Sequence, residues 1–214
     1  MHKHNGFSEL AKLMFKHAGD TEKLKQRLTA QYPTETLLRY LQSGAPLVIR
    51  AAASALKLIG GEEAVPALID ALKDNDIGTR LSAESALWHI WARSGDASID
   101  KMLNDGKSLL KDEAYEEAVE RFTEVIEAAP EFAEGYNQRA IAYFLMEEWS
   151  KSIRDCKRAI ALNPNHFGAF AGMGHVYVKL GKIEEAIEAY KQALIINPNL
   201  IGIAEAVLRL RGDY

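Results

Sequence analysis

The chain has 214 residues, of which 48% are hydrophobic and 26% are charged. This composition excludes an intrinsically disordered protein, and the length suffices to bury a core without disulfides. Cys156 is the only cysteine, which excludes an intramolecular disulfide and a multi-thiolate metal site. The net charge of −4 disfavours nucleic acid as a partner. Because we find no signal peptide and no apolar run of ~18 residues, we predict a cytoplasmic protein without membrane insertion.

The first 93 residues contain helical segments and a short repeat. Two stretches within residues 1–32 predict a pair of capping helices, the second of which begins after Asp20 as its N-cap. Over residues 33–93, VIRAAASALKLIG and TRLSAESALWHIW align with an offset of 31 residues. An amphipathic helix is predicted between them, and the polar stretch RSGDAS follows them. This part of the chain is therefore predicted to be a short array of packed helices.

A second repeat, with a period of 34 residues, covers residues 99–200. Prolines recur at this spacing, at Pro130, Pro164 and Pro198. The same period brings small residues into register, at Ala118, Ser152 and Ala186. Small residues let two helix axes approach closely, and proline ends the second helix of each pair. The pattern predicts three units of two antiparallel helices, followed by a capping helix in residues 201–214.

The 34-residue pattern resembles the tetratricopeptide repeat (TPR). The clearest unit is the segment that ends at Pro164, AEGYNQRAIAYFLMEEWSKSIRDCKRAIALNP. Residues 33–93 resemble HEAT repeats of the phycobilin-lyase-like kind, with Arg80 at the position of that motif's arginine. The whole chain is similar to bacterial proteins that combine both repeats. The resemblance implies an all-α fold, a right-handed solenoid of helix pairs.

The TPR resemblance also implies that the first helix of each unit lines a concave groove. The predicted groove residues combine apolar, amide and lysine side chains: Lys107, Lys111, Asn137, Gln138, Ile141, Phe144, Leu145, His175, Val178 and Lys179. This mixture favours a peptide with an apolar anchor and some acidic residues. We predict Phe144 as the apolar contact, Asn137 as the holder of the peptide backbone, and His175 as a group whose protonation near pH ~6 strengthens binding. In the alternative, the groove binds no ligand and packs against the N-terminal half of the chain.

The groove departs from the residues by which TPR co-chaperones hold acidic chaperone tails. Lys107 and Gln138 replace the family's two asparagines, while Gly168 and Gly172 replace its lysine and arginine. We therefore predict a ligand other than such a tail. Trp88 and Trp91 lie one helical turn apart. They either seal the N-terminal half against the first TPR unit or form a second, exposed binding surface.

No catalytic motif, phosphate-binding loop or metal-ligand spacing is found, and Cys156 is predicted to be a buried, unreactive thiol. We therefore predict a non-enzymatic interaction scaffold with a protein or peptide partner, and no cofactor or metal. A chromophore-lyase-like enzyme or enzyme subunit, acting through residues 33–93, is the alternative. A regulatory partner of a membrane complex is a third hypothesis. The partner's identity and any self-association stay open.

Overall fold

The computed structural model describes residues 5–17 and 19–212. Residues 1–4, 18, 213 and 214, which the sequence analysis places in the two capping segments, lie outside the described residues. Within the described part, thirteen α-helices and one short 3-10 helix are joined by turns, and no strand occurs. The predicted all-α fold of helix pairs is confirmed. Among the described helices, none has the length and apolar character needed to cross a membrane.

The chain divides into two compact units, Met1–Ile90 and Trp91–Tyr214. The helices of the first unit are α1 (Asn5–Lys16), α2 (Thr21–Gln31), α3 (Thr34–Leu41), α4 (Pro46–Ile59), a 3-10 turn (Glu62–Ala64), α5 (Val65–Ala71) and α6 (Ile77–Trp91), whose last residue belongs to the second unit. Helix α3 packs on both α4 and α5. The core is aliphatic, with fully buried Leu28, Leu37, Leu56, Leu68 and Leu87.

Hydrogen bonds fix the turn between α5 and α6. Asp76 accepts hydrogen bonds from the Thr79 backbone N–H at 2.7 Å and from the Thr79 hydroxyl at 3.1 Å. The bond from the Thr79 backbone is the main reason that the pKa of Asp76 lies below its ordinary value. Arg80 donates to the Asp74 carbonyl oxygen at 3.0 Å, and Arg50 Nε lies 3.5 Å from Asp76 Oδ2. Both arginines of the repeated segments thus hold the same turn.

The second unit repeats its helices with the period seen in the sequence. Its helices are α7 (Ala97–Lys111), α8 (Tyr115–Ala128), α9 (Ala133–Leu145), α10 (Trp149–Leu162), α11 (Phe167–Lys179), α12 (Ile183–Ile196) and α13 (Ile201–Arg211). Helices α8, α10 and α12 begin 34 residues apart, as do α9 and α11. The pairs α7–α8, α9–α10 and α11–α12 pack side by side, and α13 packs on α12.

The turn inside each pair has the same backbone geometry. The second residue after each first helix has a positive φ angle, at Glu113 (60°), Glu147 (59°) and Gly181 (68°). The next N–H donates to a carbonyl oxygen five residues earlier: Ala114 to Leu109, Glu148 to Tyr143 and Lys182 to Tyr177, at 3.0, 2.8 and 2.9 Å. This bond closes the helix end in the manner of a Schellman motif. Glycine adopts this conformation without strain, so only the third turn carries the residue type that the geometry favours.

Small residues on the first helices make room for rings on the second helices. The Gly106 backbone on α7 lies against the Phe122 ring, and Gly174 on α11 lies against the Tyr190 ring. In the middle pair, the Ser152 hydroxyl donates to the Ala140 carbonyl oxygen at 2.8 Å. The close helix approach that the periodic small residues predict is therefore present in all three pairs.

Candidate functional site

Helix α9 contacts both α7 and α11, so the first helices of the three pairs form a row. We call "the groove" the surface of this row that carries the ten predicted side chains: Lys107, Lys111, Asn137, Gln138, Ile141, Phe144, Leu145, His175, Val178 and Lys179. Its two ends differ in burial. The closed end contains Asn137 and the buried Glu134, while the open end exposes Ile141 and Leu145.

A buried carboxylate, Glu134, occupies the closed end. The residue is only 2% exposed. Its Oε1 accepts a hydrogen bond from Gln138 Nε2 at 2.7 Å and lies 3.3 Å from the Lys107 ammonium. Its Oε2 accepts hydrogen bonds from Asn137 Nδ2 and His166 Nε2, both at 3.0 Å. Groups from α7, from α9 and from the residue before α11 therefore converge on one side chain.

His166 links this carboxylate to an aromatic cover. Its Nδ1 accepts a hydrogen bond from the Ala169 backbone N–H at 3.1 Å, which caps α11. Because Nδ1 is an acceptor, a neutral ring carries its proton on Nε2 and donates it to Glu134. The Trp91 indole stacks on the imidazole with 5.0 Å between ring centroids and meets Phe167 edge-on at 5.2 Å. Trp91 and His166 are both buried, so this stack covers His166 where it holds Glu134.

Glu134 is ionised although it is buried. Burial by itself raises the pKa of a carboxyl group. The hydrogen bond from His166, the charge of Lys107 and the hydrogen bond from Gln138 act in the opposite direction and hold the pKa of Glu134 below its ordinary value. The closed end thus contains a charge that the surrounding protein groups already compensate.

These contacts revise the predicted roles of three groove residues. Asn137 is 5% exposed and donates to Glu134, so its amide is not presented to a peptide backbone. Gln138 and Lys107 also direct their polar groups at Glu134. Glu134 and His166 were not predicted from the sequence as the partners of these groups, although one signal was present. His166 stands where the 34-residue period places the apolar residues Phe132 and Leu200.

The open end presents aliphatic side chains from two adjacent helices. Ile141 and Leu145 on α9 are 39% and 43% exposed, and Val178 on α11 is 37% exposed. Lys111 on α7 and Lys179 on α11 are both exposed. Large exposed aliphatic residues with cations on the neighbouring turns suit a ligand that brings apolar and acidic groups together.

Phe144 on α9 contacts aromatic side chains of α10 and α11. Its ring meets Trp149 edge-on with 5.4 Å between centroids, and the His175 ring lies 6.4 Å away. Phe144 is half-buried by these contacts. Ile141 and Leu145 are therefore more accessible to a ligand than Phe144, which was the predicted apolar contact.

We expect His175 to titrate below the value of ~6.5 for a free imidazole. Its Nδ1 lies 2.7 Å from the Tyr190 hydroxyl, and partial burial lowers its pKa. Folding then favours the neutral ring, so the contribution of His175 to stability is complete above pH ~6.5 and is lost as the pH falls below that value. An NMR titration, with His175→Asn to assign the resonance, measures this pKa. A pKa at or above that of a free imidazole would contradict the expectation.

The lowered pKa also revises the predicted effect of His175 on binding. An imidazole with a lowered pKa becomes protonated only at a more acidic pH than an unperturbed histidine. Any strengthening of binding by its positive charge therefore moves to a more acidic pH.

The two tryptophans differ in their surroundings. Trp91 is 3% exposed and packs on His166 and Phe167, at the start of the third pair, so it is not the exposed binding surface considered from the sequence. Trp88 is half-buried.

Cys156 is buried on α10, as predicted. Burial, together with the charge of the neighbouring Asp155, raises the pKa of the Cys156 thiol to about 12. A thiol with this pKa is almost entirely protonated near neutral pH, and the protonated form is a poor nucleophile.

Two repeat families match the chain. Residues 133–166 and 168–200 match the tetratricopeptide repeat, and residues 21–88 match HEAT repeats. The second match covers the predicted HEAT-like segment up to residue 88 and reaches back into the segment assigned to capping helices.

Curated relatives match about half of the chain. Small glutamine-rich tetratricopeptide repeat-containing protein 2 of Saccharomyces cerevisiae is 32% identical over 100 residues, which are 47% of this chain and 29% of that protein. A TPR repeat-containing protein of Rhizobium etli is 29% identical over 108 residues, 50% of this chain and 53% of that protein. Hsp70-Hsp90 organizing protein 1 of Glycine max is 28% identical over 123 residues, 54% of this chain and 22% of that protein. The chain thus spans about half or less of the length of these relatives.

A solved TPR structure is similar to about half of the chain. The first TPR of Spaghetti (RPAP3), bound to the HSP90 peptide SRMEEVD, has a TM-score of 0.53 at 26% sequence identity. The similarity covers 55% of this chain and 94% of that one. Together with the repeat geometry of α7 to α13, these matches show that the chain carries tetratricopeptide repeats in residues 133–200 and HEAT-like repeats in residues 21–88.

Proposed function

We propose that the chain is a non-enzymatic interaction scaffold that binds a segment of a protein partner at the open end of the groove. The observation that carries this proposal is the exposure of Ile141, Leu145 and Val178 on two adjacent helices. Removing such side chains from water is the main favourable term when a partner docks. The similarity to the first TPR of Spaghetti, which holds a peptide, supports the same class of function.

The chemistry of the open end defines the ligand. Its aliphatic side chains fit an apolar anchor in an extended or helical segment. The exposed Lys111 and Lys179 favour acidic residues on either side of that anchor. We therefore propose a ligand segment with one or two large apolar residues flanked by Asp or Glu.

The proposal also assigns the other segments of the chain. We take residues 99–200 as three TPR units, 33–93 as the HEAT-like repeats, and 1–32 and 201–214 as capping segments of a cytoplasmic protein. The Rhizobium etli relative supports a bacterial origin. None of the relatives named above supports the chromophore-lyase alternative.

Peptide selection tests the groove with the full chain and requires no natural partner. A phage-displayed library of random peptides is selected on the protein, and enriched sequences are synthesised and titrated by calorimetry. We expect enriched peptides to combine apolar and acidic residues. Leu145→Asp should weaken their binding by about tenfold or more, because it places a charge in the apolar contact. Leu145 is 43% exposed and is the last residue of α9, so the change alters no fully buried side chain.

The matched control is Ile195→Asp on α12. Ile195 is also a large aliphatic residue, 62% exposed, but it lies on the second helix of its pair. Its substitution should leave the affinity unchanged. The proposal fails if no peptide is enriched, or if Leu145→Asp and wild type bind the enriched peptides equally.

A further inference from the structure

The closed end of the groove already holds an anion of its own. Lys107, Asn137, Gln138 and His166 all place their polar groups on the Glu134 carboxylate, at 2.7 to 3.3 Å. Side chains of these types would serve well to receive an acidic ligand, since amides donate hydrogen bonds and the ammonium supplies charge. In this chain, an incoming carboxylate would compete with a buried one for the same groups.

A second carboxylate at this end would also be repelled. Two carboxylates that share a site cannot both stay ionised without a large penalty. Lys107 cannot compensate both, because its ammonium is already paired with Glu134. Glu134 is nearly inaccessible to solvent, and salt screens a buried charge much less than an exposed one.

We propose that Glu134 determines ligand specificity by excluding acidic, carboxylate-terminated peptides from the closed end of the groove. This inference rests on the proposed function, in which the groove binds peptides. The peptide SRMEEVD, bound to the first TPR of Spaghetti, shows the excluded chemistry, since it combines two glutamates, an aspartate and a terminal carboxylate. The groove of this chain instead selects segments that place their apolar residues at the open end and need no terminal carboxylate.

Binding of SRMEEVD and of its C-terminal amide to wild type and to Glu134→Gln tests this directly. We expect wild type to bind the acid no more tightly than the amide. Glutamine keeps the size of the side chain and one oxygen to accept the His166 and Asn137 hydrogen bonds, but it releases the charge of Lys107. Glu134→Gln should therefore prefer the acid over the amide by about tenfold or more. Adding Lys107→Ala to Glu134→Gln should remove this preference.

Two results overturn the proposal. One is a wild-type protein that binds the acid more tightly than the amide. The other is a folded Glu134→Gln protein that binds both forms equally, or that still prefers the acid after Lys107→Ala is added. Neither result affects the proposed function, because peptides selected on the groove are tested at Leu145. Conversely, if Leu145→Asp and wild type bind the selected peptides equally, the open end is not the peptide site. The titrations of SRMEEVD and its amide would still test the role of Glu134.

A second measurement needs only wild-type protein and applies even if Glu134→Gln does not fold. Lys107 and Lys111 lie one turn apart on α7, but only Lys107 is paired with Glu134. Reductive methylation, followed by mass spectrometry, compares their rates. We expect Lys107 to react at least about threefold more slowly, because its ammonium is held against Glu134 and its side chain is only 30% exposed, whereas Lys111 is exposed. Equal rates would show that Lys107 is available to a ligand and would overturn the proposal.

Discussion

Asp155→Ala is expected to lower the free energy of unfolding by about 3–5 kcal/mol, because it leaves a partly buried guanidinium without its partner. Asp155 on α10 is 4% exposed and accepts two hydrogen bonds from Arg139 on α9: Nε to Oδ2 at 2.7 Å and Nη2 to Oδ1 at 3.0 Å. Arg139 Nη1 also donates to the Thr123 hydroxyl on α8 at 2.9 Å. One side chain thus ties three consecutive helices together. Urea denaturation monitored by circular dichroism measures the loss.

An exposed ion pair provides the matched control. Glu124 pairs with Arg121 within α8, where their side chains are 51% and 37% exposed. Glu124→Ala should cost no more than about 1 kcal/mol, since solvent screens exposed pairs. A double variant, Arg139→Met with Asp155→Leu, should recover much of the stability, because the loss in the single variant comes mainly from an unpaired charge. If Asp155→Ala costs no more than Glu124→Ala, the pair does not hold the helices together.

The period of the sequence predicted the helix pairs because packing repeats with it. Each first helix places a small residue against its partner every 34 residues, so the pattern of small residues specifies where two backbones meet. The backbone conformation of the turns also repeats, although the residue types at these positions differ. Glu113 and Glu147 adopt the same left-handed conformation as Gly181, although glutamate has no preference for it. Hydrogen bonds within the helix ends impose that geometry, and residue type alone could not reveal it.

The polar contacts of the groove could not be predicted in the same way. Periodicity assigns a side chain to a face of a helix, but it does not say which polar group that side chain meets. Glu134 and His166 lie 32 residues apart and meet because α9 and α11 are neighbours. Asn137 and Gln138 were assigned to a ligand because they lie on the groove face, yet both donate to an internal carboxylate instead.

The same limit applies to Arg139 and Asp155. The period places Asp105 and Met173 at the position of Arg139, and Arg121 and Ala189 at the position of Asp155. The first unit thus carries the same two charges at exchanged positions, but there Asp105 pairs with Lys101 and Arg121 pairs with Glu124. The ion pair between the two helices therefore occurs only in the middle unit. Contacts that are shared by all units follow from the sequence pattern, whereas contacts that belong to a single unit require the three-dimensional structure.

Two glycines on one helix should respond in opposite ways to the same substitution. Gly172 and Gly174 both lie within α11. A Cβ atom at Gly172 would meet Cys156 Sγ at 3.5 Å, an ordinary contact, so Gly172→Ala should stabilise the protein by about 0.5–1 kcal/mol through helix propensity. A Cβ atom at Gly174 would overlap two ring carbons of Tyr190. Gly174→Ala should therefore destabilise by about 1–3 kcal/mol, and Gly174→Leu by more.

Whether Gly174→Ala lowers or raises the free energy of unfolding depends on whether the Tyr190 ring can move aside. The ring is 2% exposed, and its hydroxyl hydrogen-bonds with His175 Nδ1 at 2.7 Å, so packing and a polar contact both hold it in place. Releasing the hydroxyl with Tyr190→Phe should therefore reduce the cost of Gly174→Ala, which a double-mutant cycle in urea denaturation measures. If Gly174→Ala instead raises the free energy of unfolding as much as Gly172→Ala does, α11 and α12 are not in close contact at this position.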